Sequence, residues 1–182
     1  MKKTLIASVL ISGMGFAAFA TSAAPAGTIT INGKLTASTC SVKVDDSANG
    51  DATITLPTLS TANLAKSGEV AGATSFVIKM TDCTPATGNV RAYFESGANV
   101  DSATGRLNNA ATGDSAAQNV QVQLLNDSDV ALSAGSDSQR SNAATALASG
   151  AASMTYQAQY YATGASTPGD LTTAVTYSVD YE

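Results

Sequence analysis

The sequence predicts an all-β protein with the architecture of an antiparallel sandwich, and three observations support this. Apolar and polar residues alternate in seven separate runs, which is the period of a half-buried strand. Clusters of Gly, Asn, Asp, Ser and Thr, such as 45–50 and 96–105, separate the runs and are typical of turns. Few stretches carry the apolar stripe of an amphipathic helix. Several short strands joined by such turns favour two packed antiparallel sheets.

The alternating runs are predicted as strands in chain order. They lie at 28–35, 52–56, 76–80, 90–94, 119–124, 154–160 and 175–181. The second run ends at Pro57, and a Thr84-Pro85 turn separates the third from the fourth. One short helical turn is predicted at 61–66. The Ala-rich stretch 141–152 is predicted as a loop because it has no apolar stripe.

The first twenty residues are typical of a secretory signal peptide. Lys2 and Lys3 give a positive start, residues 4–19 carry no charge, and Ala18-Phe19-Ala20 fits a cleavage site. The alternative is a membrane anchor, but the apolar part is shorter than the roughly 20 residues that a bilayer span needs. We therefore expect export, with residues 1–20 removed after Ala20 or at a site two or three residues later.

Composition limits the function classes. Of 9 Lys and Arg and 14 Asp and Glu, cleavage removes Lys2 and Lys3, so the mature net charge is −7. Such an acidic chain argues against nucleic acid and anionic membrane as partners. The chain has no His, which excludes Ser–His and Cys–His catalysis and His-ligated metal. We predict no cofactor and no metal.

Carboxylate chemistry alone would still be possible. The candidates are Asp127 with Asp129, and Asp101 near Thr104. All of them lie in turn-rich stretches, where Asp commonly bonds the local backbone. We therefore predict no catalytic residue and no enzymatic activity.

Two cysteines, Cys40 and Cys83, are present in the chain. In an exported protein we expect them to form a disulfide. The loop that they would close stabilises the fold by about 4 kcal/mol in the chain-entropy model.

The two ends of the mature chain carry complementary strand signals. Val175, Tyr177, Val179 and Tyr181 share one face of a strand that almost reaches the last residue. Near the start, Ile29 and Ile31 share a face and need an apolar partner surface. From alternation alone, that surface could belong to the chain's own sandwich or to a neighbour.

Four motifs, taken in order, make the chain resemble a major pilin of the type 1 fimbrial, chaperone–usher family. The first is the alternating stretch 27–35 followed by Cys40, and the second is Met80-Thr81-Asp82-Cys83. The third is the stretch 157–164, with the sequence QAQYYATG. The fourth combines a penultimate Tyr181 with Gly169, the fourteenth residue from the end. The resemblance covers essentially the whole mature chain.

The resemblance implies an incomplete immunoglobulin-like sandwich whose last strand is supplied in trans. It divides the chain into a signal peptide (1–20), an N-terminal donor-strand extension (21–36) and a pilin domain (37–182). Gly27, Ile29 and Ile31 would be the donor residues that enter a neighbouring subunit. The acceptor groove and the surface for chaperone and usher recognition would consist of Gly169, Val175, Tyr177, Val179 and Tyr181.

The resemblance also implies partners and a location. These are other pilin subunits in a head-to-tail homopolymer, a periplasmic chaperone, an outer-membrane usher, and tip adhesin or adaptor subunits. The expected location is a fimbria on the cell surface, reached through the periplasm, where it would support cell adhesion. The alternative is a free-standing secreted sandwich that binds carbohydrate or a host receptor.

Overall fold

A computed structural model describes Thr30, Ile31, Gly33, Leu35 and residues 39–182 of the protein. The predicted signal peptide and two of the predicted donor residues, Gly27 and Ile29, lie outside the described residues. A compact unit begins at Thr36 and runs to Glu182. Where the structure describes this unit, nearly all of its regular elements are antiparallel strands.

Nine strands and two 3-10 helices lie within the described residues. The strands are β1 (Thr39–Val44), β2 (Val70–Thr84), β3 (Asn89–Phe94), β4 (Leu107–Asn108), β5 (Val120–Leu125), β6 (Ala131–Leu132), β7 (Thr145–Ala146), β8 (Ala152–Ala162) and β9 (Tyr177–Tyr181). The first 3-10 helix is Thr61–Leu64 and the second is Asp137–Ser141. No described helix has the length and apolar character that a membrane crossing requires.

The strands form two sheets. The larger has the order β1-β2-β8-β5-β4, with β6 also paired to β5, and the smaller has the order β7-β3-β9. Alternation directs every second side chain of the long strands into one core between the sheets. Its central members are Phe76, Ile78, Met80, Val90, Ala92, Phe94, Val122, Leu124, Met154, Tyr156 and Ala158.

An aromatic cluster joins the two sheets at the centre of this core. The Phe94 ring lies 5.2 Å from the Tyr156 ring at an interplanar angle of 90°. The Tyr156 hydroxyl accepts a hydrogen bond of 3.0 Å from the Ala92 N–H, which gives this buried phenol a polar partner. Burial raises the pKa of Tyr156, so the ring stays neutral. Each large side chain buried here contributes about 1.5–3 kcal/mol.

The disulfide between Cys40 and Cys83 connects β1 to β2, as the sequence predicts. The predicted strands at 76–80, 90–94, 119–124, 154–160 and 175–181 all correspond to observed strands. The predicted helical turn corresponds to the first 3-10 helix. The stretch 141–152, predicted as a loop, contains the short strand β7.

The prediction of a paired strand at 52–56 is wrong in one respect. The segment has the expected alternation, with Ile54 and Leu56 half-buried and Thr53 and Thr55 exposed, but it joins neither sheet. Alternation reports which side chains meet the core, whereas a ladder also needs an adjacent strand. The space beside 52–56 is a groove.

Candidate functional site: an open groove along the last strand

The last strand, β9, is paired on one edge only. Its partner is β3, and no other described strand bonds to it. Asn89 and Glu182 exchange both of their backbone hydrogen bonds, and the Glu95 N–H donates to the Thr176 carbonyl at 2.9 Å. Bonded residues alternate along an antiparallel strand. The backbone groups of Tyr177, Val179 and Tyr181 therefore point away from β3, toward an open edge.

The open edge continues upstream through the extended segment 171–176. The Ala110 N–H donates to the Thr172 carbonyl at 2.7 Å, and the Thr172 N–H donates to Asn109 Oδ1 at 3.0 Å. The N–H and C=O groups of Thr172 therefore point toward Asn109 and Ala110. The backbone groups of Leu171 and Thr173 point the other way, toward the open edge. The open edge consists of Leu171, Thr173, Val175, Tyr177, Val179 and Tyr181.

The same residues direct their side chains toward the core. Leu171, Val175, Tyr177, Val179 and Tyr181 are partly buried and pack against the main hydrophobic cluster. The Thr173 hydroxyl is buried and has no hydrogen-bond partner among the described residues. An added strand would therefore gain backbone hydrogen bonds and apolar contacts at one place.

The segment 50–56 forms the opposite wall. Ile54 and Leu56 face inward, and the Tyr177 hydroxyl crosses the gap to donate to the Gly50 carbonyl at 2.9 Å. The backbone N–H groups of 52–56 donate to no acceptor within the described part of the chain. Between the two walls lies a groove of about 780 Å³. Its floor consists of Phe76, Ile78, Phe94, Leu107, Val122, Leu124 and Ala158.

The groove is almost uncharged. Of its lining residues, all of which are described, only Asp51 at the rim has a formal charge at neutral pH. Burial raises the pKa of Tyr160 and of Tyr177, and the nearby Asp51 raises that of Tyr177 further. Both phenols are therefore neutral, and the groove accepts apolar side chains without displacing an ion.

Gly169 lies just before the open edge and does not line the groove. Its φ of +153° is uncommon for residues with a side chain, and an added Cβ would lie 2.5 Å from the Ala117 nitrogen. Next to it, the Asp170 N–H donates to the Ser115 carbonyl at 2.6 Å. Gly169 thus permits the close backbone contact from which the open edge begins.

The other predicted site residues lie as follows. Val175, Tyr177, Val179 and Tyr181 lie together on the open edge, and the Tyr181 hydroxyl is 3.3 Å from Cys40 Sγ of the disulfide. Of the predicted donor residues, Ile31 is described, and it is 89% exposed. Sequence reasoning missed Leu171, Thr173, Ile54 and Leu56 as wall residues, although the alternation at 171–175 and 52–56 contained the signal.

The acidic residues weighed as catalytic candidates lie in turns. Asp101 Oδ1 accepts hydrogen bonds from the N–H groups of Ala103 and Thr104, both at 3.0 Å. Hydrogen bonding, with the Thr104 side chain as the largest cause, lowers the pKa of Asp101. Asp129 has a positive φ, and its N–H closes a turn onto the Asn126 carbonyl at 3.2 Å. The carboxylate of Asp101 thus bonds its own turn, and that of Asp129 accepts a hydrogen bond from Gln157 on β8.

Comparison with known proteins gives the family. Residues 56–182 match the family model described as Type-1 fimbrial protein, A. The chain is 44% identical over 160 residues to the Major fimbrial subunit SMF-1 of Stenotrophomonas maltophilia, covering 85% of this chain and 92% of that protein. It is 32% identical over 189 residues to the Type-1 fimbrial protein, A chain, of Escherichia coli, covering 100% of both.

Solved structures give the fold. A subunit from the structure of a chaperone–usher pilus superimposes with a TM-score of 0.59 at 20% identity, covering 86% of this chain and 95% of that one. The P pilus rod subunit PapA superimposes with a TM-score of 0.57 at 19% identity, covering 79% and 99%. The predicted incomplete immunoglobulin-like sandwich is confirmed. The chain therefore belongs to the type-1 fimbrial protein family and is a structural subunit of fimbriae on the bacterial cell surface.

Proposed function

We propose that this fimbrial subunit polymerises head-to-tail by donor-strand exchange, in which the extension 21–36 of one subunit fills the groove of the next. The observation that carries the proposal is the open edge itself. Along 171–177, outward-pointing backbone groups border an almost uncharged apolar groove of about 780 Å³, and the open edge continues to Tyr181. An exposed edge of this kind favours pairing with another chain.

The extension has the pattern that the groove requires. Gly27, Ile29, Ile31, Gly33 and Leu35 share one face of an extended strand. The nine residues 27–35 would span about 30 Å at 3.3 Å per residue, and the eleven residues 171–181 span about 36 Å. Ile31 is 89% exposed and Leu35 is fully exposed, so both side chains would gain by burial.

The free energy of strand addition follows from this fit. Burial of Ile29 and Ile31 contributes about 3–6 kcal/mol by transfer of apolar area. Each ladder hydrogen bond adds about 1 kcal/mol. The Thr173 hydroxyl, buried without a partner among the described residues, could gain one on the incoming strand. Gly27 would occupy the shallowest part of the groove, because it has no side chain.

Polymerisation gives an open filament. The extension and the groove are different surfaces of one chain, so the contact is heterologous and repeats without closing. Before assembly the open edge would aggregate unless it were covered. We therefore propose that a periplasmic chaperone fills the groove first and that an outer-membrane usher exchanges it for the next extension. Tip adhesin or adaptor subunits would end the filament and provide adhesion.

The proposed role is structural, without enzymatic activity. The Asp101 carboxylate and the Asp129 N–H each bond the backbone of their own turn. A free-standing secreted sandwich would instead keep a complete fold and remain a monomer. Assembly assays separate the two, because only the pilin needs its extension in order to assemble.

The first experiment deletes residues 21–32 from the mature chain. We expect the truncated subunit to bind a peptide of residues 21–36 but to form no fibres, since it keeps the groove and loses the donor. Electron microscopy and peptide binding measure the two properties. If the truncated chain assembled as readily as the intact one, donor-strand exchange would be the wrong mechanism.

A matched pair of substitutions tests the face of the extension. Ile31→Asp places a charge on the donor face, whereas Thr30→Asp places the same charge on the opposite face. We expect Ile31→Asp to abolish fibres and Thr30→Asp to leave them largely unchanged, because only the donor face becomes buried. Equal effects of the two substitutions would contradict the predicted parity.

A further inference from the structure

The outer face of β9 is polar, and each of its side chains has a partner. The Ser178 hydroxyl donates to Glu95 Oε1 at 2.6 Å, and Arg140 Nε donates to Asp180 Oδ2 at 2.8 Å. The Arg91 guanidinium donates to the carboxylate of Glu182. We call these three pairs the outer-face contacts. All of them lie on the side of the sheet opposite the groove.

Arg140 is placed by the second 3-10 helix. The buried Gln139 side chain accepts from the Phe94 N–H at 3.0 Å and donates to the Phe94 carbonyl at 2.9 Å. It thereby joins the second 3-10 helix to the edge of β3, beyond the two residues of β3 that pair with β7. The Arg140 guanidinium then stacks over the Tyr93 ring at 4.3 Å and reaches Asp180 on the next strand.

Arg91 is the most buried member of the set. Its side chain is 7% exposed, and it donates to the backbone carbonyls of Arg140 and Asn142. Glu182 is its only acidic partner among the described residues. Removing one partner of a buried pair leaves an uncompensated charge, which is strongly unfavourable. If Glu182 moved away, the Arg91 side chain on β3 would lose its acidic partner. Arg91 therefore favours one position of Glu182.

The apolar face of β9 specifies its register weakly. Val175 and Tyr177 are followed four residues later by Val179 and Tyr181, so a shift of four residues would superimpose similar side chains. A shift of two residues would keep every apolar side chain on the groove face. A two-residue shift in one direction would leave Arg91 without an acidic partner, and a shift in the other direction would leave Arg140 with Asp137 alone. The outer-face contacts thus distinguish registers that the apolar face does not.

We propose that Arg91 and Arg140 are positioning residues that fix the register of β9 while its other edge is unpaired. Their importance for strand acceptance rests on the proposed donor-strand exchange. The register determines where each open backbone group and each groove side chain meets the incoming strand. Once that strand is added, β9 is held on both edges and depends less on these contacts.

The test measures amide hydrogen exchange of the full mature chain, with one set of variants on the outer face and one control. The outer-face variants are Arg91→Met, Glu182→Gln and Asp180→Asn. Arg106→Met is the matched control, because Arg106 stacks over Tyr161 on the larger sheet. Glu182→Gln is the milder change, since that side chain is 51% exposed, and it decides the outcome if Arg91→Met fails to fold.

We expect the outer-face variants to speed exchange in β9 by about tenfold, which corresponds to about 1.4 kcal/mol. The β2–β8 ladder should keep its wild-type exchange in the same samples, and Arg106→Met should leave β9 unchanged. A uniform increase over all strands would overturn the proposal, because it would indicate a general stability role. Unchanged exchange in β9 would overturn it as well.

A second measurement uses a labelled peptide of residues 21–36. We expect Glu182→Gln and Asp180→Asn to bind the peptide several-fold more weakly than wild type, and Arg106→Met to bind it normally. If the outer-face variants bound the peptide as well as wild type does, the positioning role would be wrong. If even wild type bound none while β9 exchange changed as expected, the register role would stand and donor-strand exchange would fail.

Discussion

Gly169 lies where the open edge begins, and its surroundings leave no room for a side chain. Its φ is +153°, and an added Cβ would lie 2.5 Å from the Ala117 nitrogen. The neighbouring Asp170 is bonded on both sides to the backbone of 115–117. A side chain here would have to push the start of the edge away from that loop.

We therefore predict that Gly169→Ala destabilises the mature subunit by about 1–3 kcal/mol, the cost of a strained backbone position. Denaturant unfolding measures the loss. Gly97→Ala is the matched control, because an added Cβ at Gly97 meets no atom within 4 Å. The same loss at both positions would show that the contact with 115–117 is unimportant.

For the strands as elements, alternation predicted which face of each is buried. It found β2, β3, β5 and β8 because each buries three or more side chains on one face, as Phe76, Ile78 and Met80 do in β2. It missed β1, although Cys40, Val42 and Val44 alternate toward the core there, and it could not find β4, β6 or β7, since strands of two residues have no period. It also could not show that 52–56 lacks a partner, because pairing depends on segments that are distant in sequence.

The residues of the candidate site also fall into two groups, those that alternation predicts and those that depend on contacts distant in sequence. Val175, Tyr177, Val179 and Tyr181 were predictable because they share one parity within a single run. The second 3-10 helix was not predicted. The pairing of its Arg140 with Asp180 was not predicted either, because 40 residues separate Arg140 from Asp180. The resemblance assigned Gly169 to the site, but its contact with 115–117 required the folded chain.

The last strand carries a prediction of its own. Tyr181 packs against the core at the end of the open edge, and burial raises its pKa, so its phenol is neutral. Tyr181→Glu would place a carboxylate in this apolar surface, at a cost of several kcal/mol unless it is paired. We predict at least tenfold weaker capture by the periplasmic chaperone, measured by pull-down from periplasm.

The control for this prediction is Thr176→Glu. Thr176 precedes β9 with an exposed side chain of the opposite parity. We expect this variant to be captured normally, because its charge remains in solvent. Normal capture of Tyr181→Glu would show that the last strand is not part of the chaperone-binding surface. Loss of capture in both variants would indicate a general effect of added charge.

At the scale of the whole molecule, no described strand of the sandwich pairs with the second edge of β9. Among the described strands, the smaller sheet consists of β7, β3 and β9, and β7 pairs with two residues of β3. One side of the core therefore opens into the groove instead of being closed by a fourth strand. Other features must hold the subunit together before polymerisation.

The disulfide is the strongest such feature among the described residues. It joins Cys40 and Cys83 over a sequence separation of 43, which corresponds to about 4 kcal/mol in the chain-entropy model. We predict that Cys40→Ser lowers the melting temperature of the mature subunit by about 10 °C, measured by circular dichroism, and lowers its periplasmic yield. The Cys40→Ser, Cys83→Ser double variant should behave alike, since both lack the same covalent bond. Reduced wild type provides an independent control without any substitution. Unchanged melting and yield would mean that packing of β1 on β2 alone stabilises the incomplete sandwich.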